Sequence, residues 1–444
     1  MAQVVKVLIV TDGGGGYKHS QLDSGGSHIN KFHLGEFINV LQTTTWRGFT
    51  LQIVKAHREN VDAADINADL VNFRFDTHDL SAYDEILLFP IRRNDEGVDA
   101  TDAEVRAIAE FMDAGGGVFA TGDHENLGAA LCARLPRIRN MRRWYWNAPG
   151  PNGEPVAPDG GTATRHDTLR AGHDYNPATP NSNYQFDDES DNIAQTIIPA
   201  IFETRSSRYV RQTWPHPLLC SPEGMIRYLP DHPHEGECEV PANLGLNITA
   251  SGYNKPEYPP LADGTTLKPV VVARATVIGG HETSGKPAVN PDTFGVIGAY
   301  DGHQVRRDGK RLGRVVVDAT WHHFFNINLT GSLNSGTPAK RQGFYAPLLP
   351  GQQDHYKMIK HYYRNIIYWL IPAHRQVWRF QNLIAKMVID PEFYELNPIS
   401  HIRDFNRLEL SHIIALGKLA DAYFNQAHGA CWRLQLLPVI FLRI

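Results

Sequence analysis

Two places in the sequence set titratable side chains directly after a short apolar run. One is Gly115-Gly116-Gly117-Val118-Phe119-Ala120-Thr121-Gly122-Asp123-His124-Glu125. The other is Gly313-Arg314-Val315-Val316-Val317-Asp318-Ala319-Thr320-Trp321-His322-His323. In open α/β sheets, ligands sit beyond the carboxyl ends of the strands, where both runs would deliver these groups. Asp123, His124 and Glu125 with His322 and His323 could ligate a divalent metal and lower the pKa of its bound water. Without a metal, a His–Asp pair could serve as a general base on water. The competing reading makes Asp123 a helix cap and His322 or His323 a packed histidine near Trp321, Phe324 and Phe325.

Three further clusters carry chemistry of their own. In Pro230-Asp231-His232-Pro233-His234-Glu235-Gly236-Glu237-Cys238 the two histidines share one side of an extended segment, so both can reach one ion. The spacing matches no HExxH motif and no zinc finger, and an exposed acidic loop is the alternative. Folded over the strand ends, His232, His234 and Glu235 would complete a Zn²⁺, Mn²⁺ or Fe²⁺ site with His124 and His323. The glycines of Thr11-Asp12-Gly13-Gly14-Gly15-Gly16 let backbone N–H groups approach a ligand, with Gly14 and Gly15 at the centre and Asp12 at the strand end. Neither a Walker A loop nor G-x-G-x-x-G fits, so no nucleotide cofactor is expected. Arg92 and Arg93, after a third apolar run, form either an anion clamp or ion pairs with Asp95, Glu96 or Asp99. The basic stretch Arg134–Arg143 with Trp144, Tyr145 and Trp146 reads as a helix-end cluster paired with carboxylates, or as an aromatic pocket wall, rather than a nucleic-acid stripe.

The elements that must position these groups are legible as alternating strand and helix. Val4–Val10, Phe49–Lys55, Glu85–Phe89 and Val118–Thr121 read as strands, His28–Leu41 and Thr101–Met112 as helices, and a helical pattern runs on to Leu135. This order implies a parallel doubly wound sheet with right-handed crossovers. From 147 to 266 Pro, Gly, Asn and Asp break the pattern, which marks a long irregular insertion. Strands return at Val270–Val277, Thr293–Ala299 and Arg314–Ala319. A helical extension over 345–444 begins near Asp354, with Met358, Ile359, Tyr362, Ile366, Trp369 and Leu370 at helical spacing.

Composition narrows the function classes. With 42% hydrophobic and 20% charged residues in 444, the chain reads as a globular protein with room for a large core. A net charge of −5 gives no general electrostatic reason to bind nucleic acid or acidic membranes. No apolar run reaches the roughly 18 residues of a membrane helix, and Val4–Val10 is too short for a secretory signal. Four cysteines without a CxxC pair suit a reduced, cytoplasmic protein, and 21 histidines are the one compositional hint of metal chemistry.

The glycine-ended helix, the Gly-Gly-Gly strand turn and the late strand ending in His322-His323 resemble the class I glutamine amidotransferase-like superfamily, nearest its ThuA-like branch, over about 1–145 and 268–330. The resemblance implies a flavodoxin-like α/β core, residues 1–146 and 267–335. The family's cysteine slot falls here on Gly122, no Ser, Cys or Thr occupies Gly122–Glu125, and Phe324 and Phe325 replace the glutamate expected after the histidine. Glutaminase chemistry is therefore not expected. The residues and the resemblance together point to a hydrolase-like enzyme for a small polar ligand, carbohydrate-derived by family analogy or carboxylate-bearing. Its catalytic residues would be His124, His323 or His322, Asp123 and Asp12, with Arg92, Arg93, Gly14, Gly15 and Trp321 binding substrate and water as nucleophile. The alternative is a catalytically inactive ligand-binding or assembly module, with homo-oligomers formed through the C-terminal helices.

Overall fold

The computed structural model describes residues 3–18, 33–46, 49–94, 96–123, 126–145, 194–205, 211–230, 236–277, 292–331, 344 and 352–375. Its centre is an eight-stranded sheet. The strands are β1 (Gln3–Thr11), β2 (Phe49–His57), β3 (Glu85–Phe89), β4 (Gly117–Ala120), β5 (Ile198–Pro199), β6 (Val270–Val277), β7 (Asp292–Tyr300) and β8 (Val315–Asp318). They lie in the order β2-β1-β3-β4-β8-β7-β6-β5. The first five run parallel, and β7, β6 and β5 each pair antiparallel with their neighbours. The protein is thus α/β with a mixed, mostly parallel sheet rather than a wholly parallel one. The reason lies in the connection from β7 to β8. Residues 301–314 form only a short 3-10 turn and a small β-ribbon, with no α-helix to carry the chain back across the sheet as a parallel return usually requires.

The central strands are continuous apolar runs because both faces are covered. Val7, Leu8, Ile9 and Val10 of β1 and every residue of β3, β4 and β8 are buried. Three helices of nine residues or more are described: α1 (Gly35–Thr43), α2 (Asp102–Asp113) and α3 (Gln352–Leu370). Helix α2 begins as its sequence requires. The Thr101 hydroxyl accepts from Glu104 N–H while the Glu104 carboxylate accepts from Thr101 N–H, a reciprocal cap worth about 1 kcal/mol. The expected helix through Leu135 is reduced to single turns at Ala129–Cys132 and Ile138–Met141, because Gly128 enters with φ +91 and Pro136 interrupts it.

Helix α3 turns Ile359, Tyr362, Tyr363, Ile366, Ile367 and Leu370 inward at three- and four-residue spacing. Tyr363 and Phe37 of α1 meet Phe89, Phe119 and Phe324 in one aromatic cluster with centroids 5.1 to 5.5 Å apart. Each such pair adds about 0.5–1.5 kcal/mol beyond its buried area. This cluster ties the late strand's turn and α3 to the first half of the sheet, and so fixes the strand ends. Within 194–266 the described chain forms short two-stranded antiparallel ribbons, and Ile198–Pro199 adds an edge strand to the main sheet. Of the helical extension expected over 345–444, the described residues are 352–375. No described helix is long and apolar enough to cross a membrane.

Candidate functional site at the strand ends

The carboxyl ends of β4 and β8 are neighbours, and their turns are stitched together by Trp321 N–H donating to Gly122 O at 2.8 Å. This contact brings Asp123 against Thr320 and His322. The Thr320 hydroxyl donates to Asp123 Oδ1 at 3.3 Å and accepts from His322 N–H at 2.9 Å, which caps the tight turn Trp321–His323. His322 Nδ1 lies 2.7 Å from Asn328 Oδ1, and its Nε2 lies 3.7 Å from Asp123 Oδ1. An amide oxygen can only accept, so Asn328 selects the tautomer with the proton on Nδ1 and turns Nε2 toward the β4 turn. Asp123 and His322 are fully buried.

The two adjacent histidines have different surroundings. His323 Nδ1 lies 2.7 Å from Asp318 Oδ1, whose other oxygen accepts from the Tyr362 hydroxyl at 2.6 Å, and Tyr363 donates to the His323 carbonyl at 2.6 Å. His322 therefore faces the β4 turn, while His323 is held beneath it by α3. Trp321, expected as a substrate contact, packs its ring on His322 at 4.1 Å and on Phe325 at 5.1 Å. His124, His232, His234 and Glu235 lie outside the described residues, so four of the five expected metal ligands carry no geometry. Among the described residues no three His, Cys, Asp or Glu side chains are grouped to hold a metal ion.

The packing around Gly122 leaves no room for a side chain at the position that the resemblance would give to a nucleophile. A Cβ there would sit 2.7 Å from the Trp144 ring, 2.8 Å from Leu127 O and 3.1 Å from the Arg142 guanidinium carbon. Arg142 is itself buried. It donates to the carbonyls of Asp123, Ala319 and Arg143 while lying 4.4 Å over the Trp144 ring. It is a strut between the two turns, and its basic neighbours Arg134, Arg139 and Arg143 pair with Asp102, Glu257 and Glu239. Gly122→Cys is accordingly expected to lower stability by about 1–3 kcal/mol through overpacking and to create no thiol-dependent activity. Urea denaturation and iodoacetamide-sensitive turnover check the two halves of that expectation.

At the β1 and β3 ends, Asp12 does what neither loop could do alone. Its Oδ1 accepts from Ile91 N–H at 2.6 Å and from Arg92 N–H at 3.1 Å, which docks the β3 loop on the β1 loop. Burial pushes its carboxyl up to about 6, and those two N–H groups limit the rise. A carboxyl there is ionised at neutral pH yet close to its protonation point, as a general base needs. A raised acid contributes stability below its ordinary value of 3.8 that is lost as pH rises through about 6. Asp12→Asn keeps an acceptor oxygen and removes the charge. Relative to wild type it should gain about 3 kcal/mol between pH 3.5 and pH 7.5, read by urea unfolding at the two values.

Arg92 is committed within the protein. It pairs with Glu59 through Nε and Nη2 at 2.6 and 3.0 Å and with Glu96 through Nη1 at 3.0 Å. Glu59 also accepts from Gly13 N–H at 2.7 Å, and the Arg92 contact holds its carboxyl below the usual range. Gly15 N–H closes the loop on Asp12 O at 3.0 Å, Gly14 is exposed, and Arg93 is half-buried. Glu59, Thr320, Asn328, Asp318 and Tyr362 join the site without having been expected there from sequence. Of these only Asp318 and Thr320 carried a signal, as polar residues closing an apolar run. A separate hollow of about 310 Å³, lined by Leu41, Gln42, Thr44, Trp46, Phe49 and Ile53 among others, opens at the amino end of β2 and holds none of these groups.

No known family model matches the chain, and no curated protein matches it significantly.

Proposed function

We propose that the protein is a hydrolase-like enzyme for a small polar ligand, of the class I glutamine amidotransferase-like kind and nearest its ThuA-like branch, with water replacing the cysteine nucleophile. The observation that carries this reading is the line Asn328–His322–Asp123, in which an amide orients an imidazole whose other nitrogen faces the β4 turn. That turn is where the resemblance puts the nucleophile. The order β2-β1-β3-β4-β8 of the parallel strands supports a flavodoxin-like core.

On this reading His322 Nε2 takes a proton from water as the oxygen adds to the electrophilic carbon, then returns it to the leaving group. Asp123 stabilises the imidazolium formed in between. Asp12 supplies a second titratable group near neutrality at the neighbouring strand ends. A carbohydrate-derived ligand rests on the family analogy. The second reading, a catalytically inactive binding module, is favoured by the closed Gly122 slot and by the complete burial of Asp123, His322 and His323. A panel of p-nitrophenyl esters and glycosides separates the two. Turnover by wild type that falls about a hundredfold or more in Asp123→Asn supports the enzyme, and no turnover on any member supports the module.

A further inference from the structure

The loops after β1 and β3 face each other where the strand order reverses, the position at which doubly wound sheets bind ligands. One side chain from the end of β2 spans them. Glu59 receives Gly13 N–H on Oε1 together with Arg92 Nε, and Arg92 Nη2 on Oε2, so three donors converge on a single carboxylate. A glycine-loop amide beside a guanidinium fork is a donor set matched to a planar, two-oxygen anion.

Two features separate this from an ordinary surface ion pair. Gly13 has φ +58, and a Cβ there would come within 2.8 Å of Ile91 Cγ1 and 3.3 Å of Arg92 Nε. The loop backbone is thus pressed against the β3 loop with no side chain to shield its N–H. The floor beneath is fixed independently, because buried Asp12 already holds Ile91 N–H and Arg92 N–H. Glu59 itself is 26% exposed and can leave without opening the core, while Glu96 keeps its own hold on Arg92 Nη1.

We infer that Gly13 and Arg92 form a binding site for the carboxylate group of a ligand, occupied in the free protein by Glu59 as an internal stand-in that the ligand displaces. This rests on the strand ends being a ligand site and gives that ligand a carboxylate. The tethered Glu59 competes with it, so removing Glu59 strengthens binding by the factor that competition had cost.

The test uses acetate as probe and inorganic phosphate as comparison, read on the Gly13 amide and Arg92 Nε resonances by ¹⁵N NMR of the full chain. Glu59→Ala should show saturable acetate shifts with an affinity about tenfold or more above wild type. Glu59→Gln, which keeps the shape and removes the charge, should fall between them, and Glu59→Ala/Arg92→Ala should show none. A natively folded Glu59→Ala protein whose two signals ignore acetate would overturn the inference. Saturable shifts with phosphate but not acetate would overturn the carboxylate assignment. No activity is read, so an absence of hydrolysis leaves this outcome untouched, and the reverse also holds.

Discussion

Glu104→Ala should lower the stability of the protein by about 3–5 kcal/mol, the largest loss expected from any single substitution outside the aromatic core. Glu104 and Arg58 are 1% and 3% exposed and meet through two contacts of 2.6 and 3.2 Å. Burial works to raise the Glu104 carboxyl, but Arg58 and the N–H groups of Thr101 and Phe75 outweigh it and leave it below its usual range. Removing the carboxylate strands a guanidinium in the interior and deletes one half of the α2 cap. Replacing both partners, as in Arg58→Met/Glu104→Leu, should cost less than the single change, because no charge is left unpaired. Urea unfolding of wild type and the two variants separates these outcomes. The pair also matters for the site. Arg58 immediately precedes Glu59, so the pair anchors to α2 the chain that carries the Arg92 partner.

The second large effect is on rate. His322→Gln should lower hydrolysis by about 10²–10⁴-fold on any substrate the protein turns over, the range lost when a positioned acid–base group is removed. Asn328→Ala should cost less, about tenfold to a hundredfold, because it leaves the imidazole present but free to choose its tautomer and orientation. The two differ in kind as well as in size. Loss of His322 should abolish the fall of kcat/KM toward acidic pH that protonating a general base causes, whereas loss of Asn328 should leave that fall visible at a lower rate. A Tyr362→Phe change removes the hydroxyl that Asp318 accepts and acts on His323 instead, so its effect on rate should be the smallest of the three.

How much of this was legible in the sequence depended on how local each cause was. The cap of α2 is a four-residue pattern, Thr101 to Glu104, and the structure forms it as that pattern dictates. The strands ending at Thr11, Phe89, Ala120 and Asp318 were marked by unbroken apolar runs, so the edge at which titratable groups gather could be placed from sequence. Strand direction on the far side of the sheet could not. The runs of β6 and β7 look the same in either direction, and only the absence of a crossover helix before β8 decides. Partner choice was also out of reach. Arg92 has Asp95, Glu96 and Asp99 nearby in sequence, yet its two-point contact is to Glu59, 33 residues earlier. Tyr362 was legible as part of an apolar stripe, and its hydroxyl contact to Asp318 depends on how α3 lies across the sheet. Which of His322 and His323 faces the β4 turn was decided by Asn328 and Asp318, one drawing on each ring.

The most direct measurement is the tautomer of His322, read by ¹⁵N NMR of histidine-labelled wild type and Asn328→Ala protein at pH 8.5, above the ordinary histidine range of about 6.5. The expected result is a proton on Nδ1 and a basic Nε2 in wild type, with that preference lost when Asn328 is removed. A proton fixed on Nε2 in the wild-type protein would contradict it, because that nitrogen could then accept no proton from water and the Asn328–His322–Asp123 line would be structural.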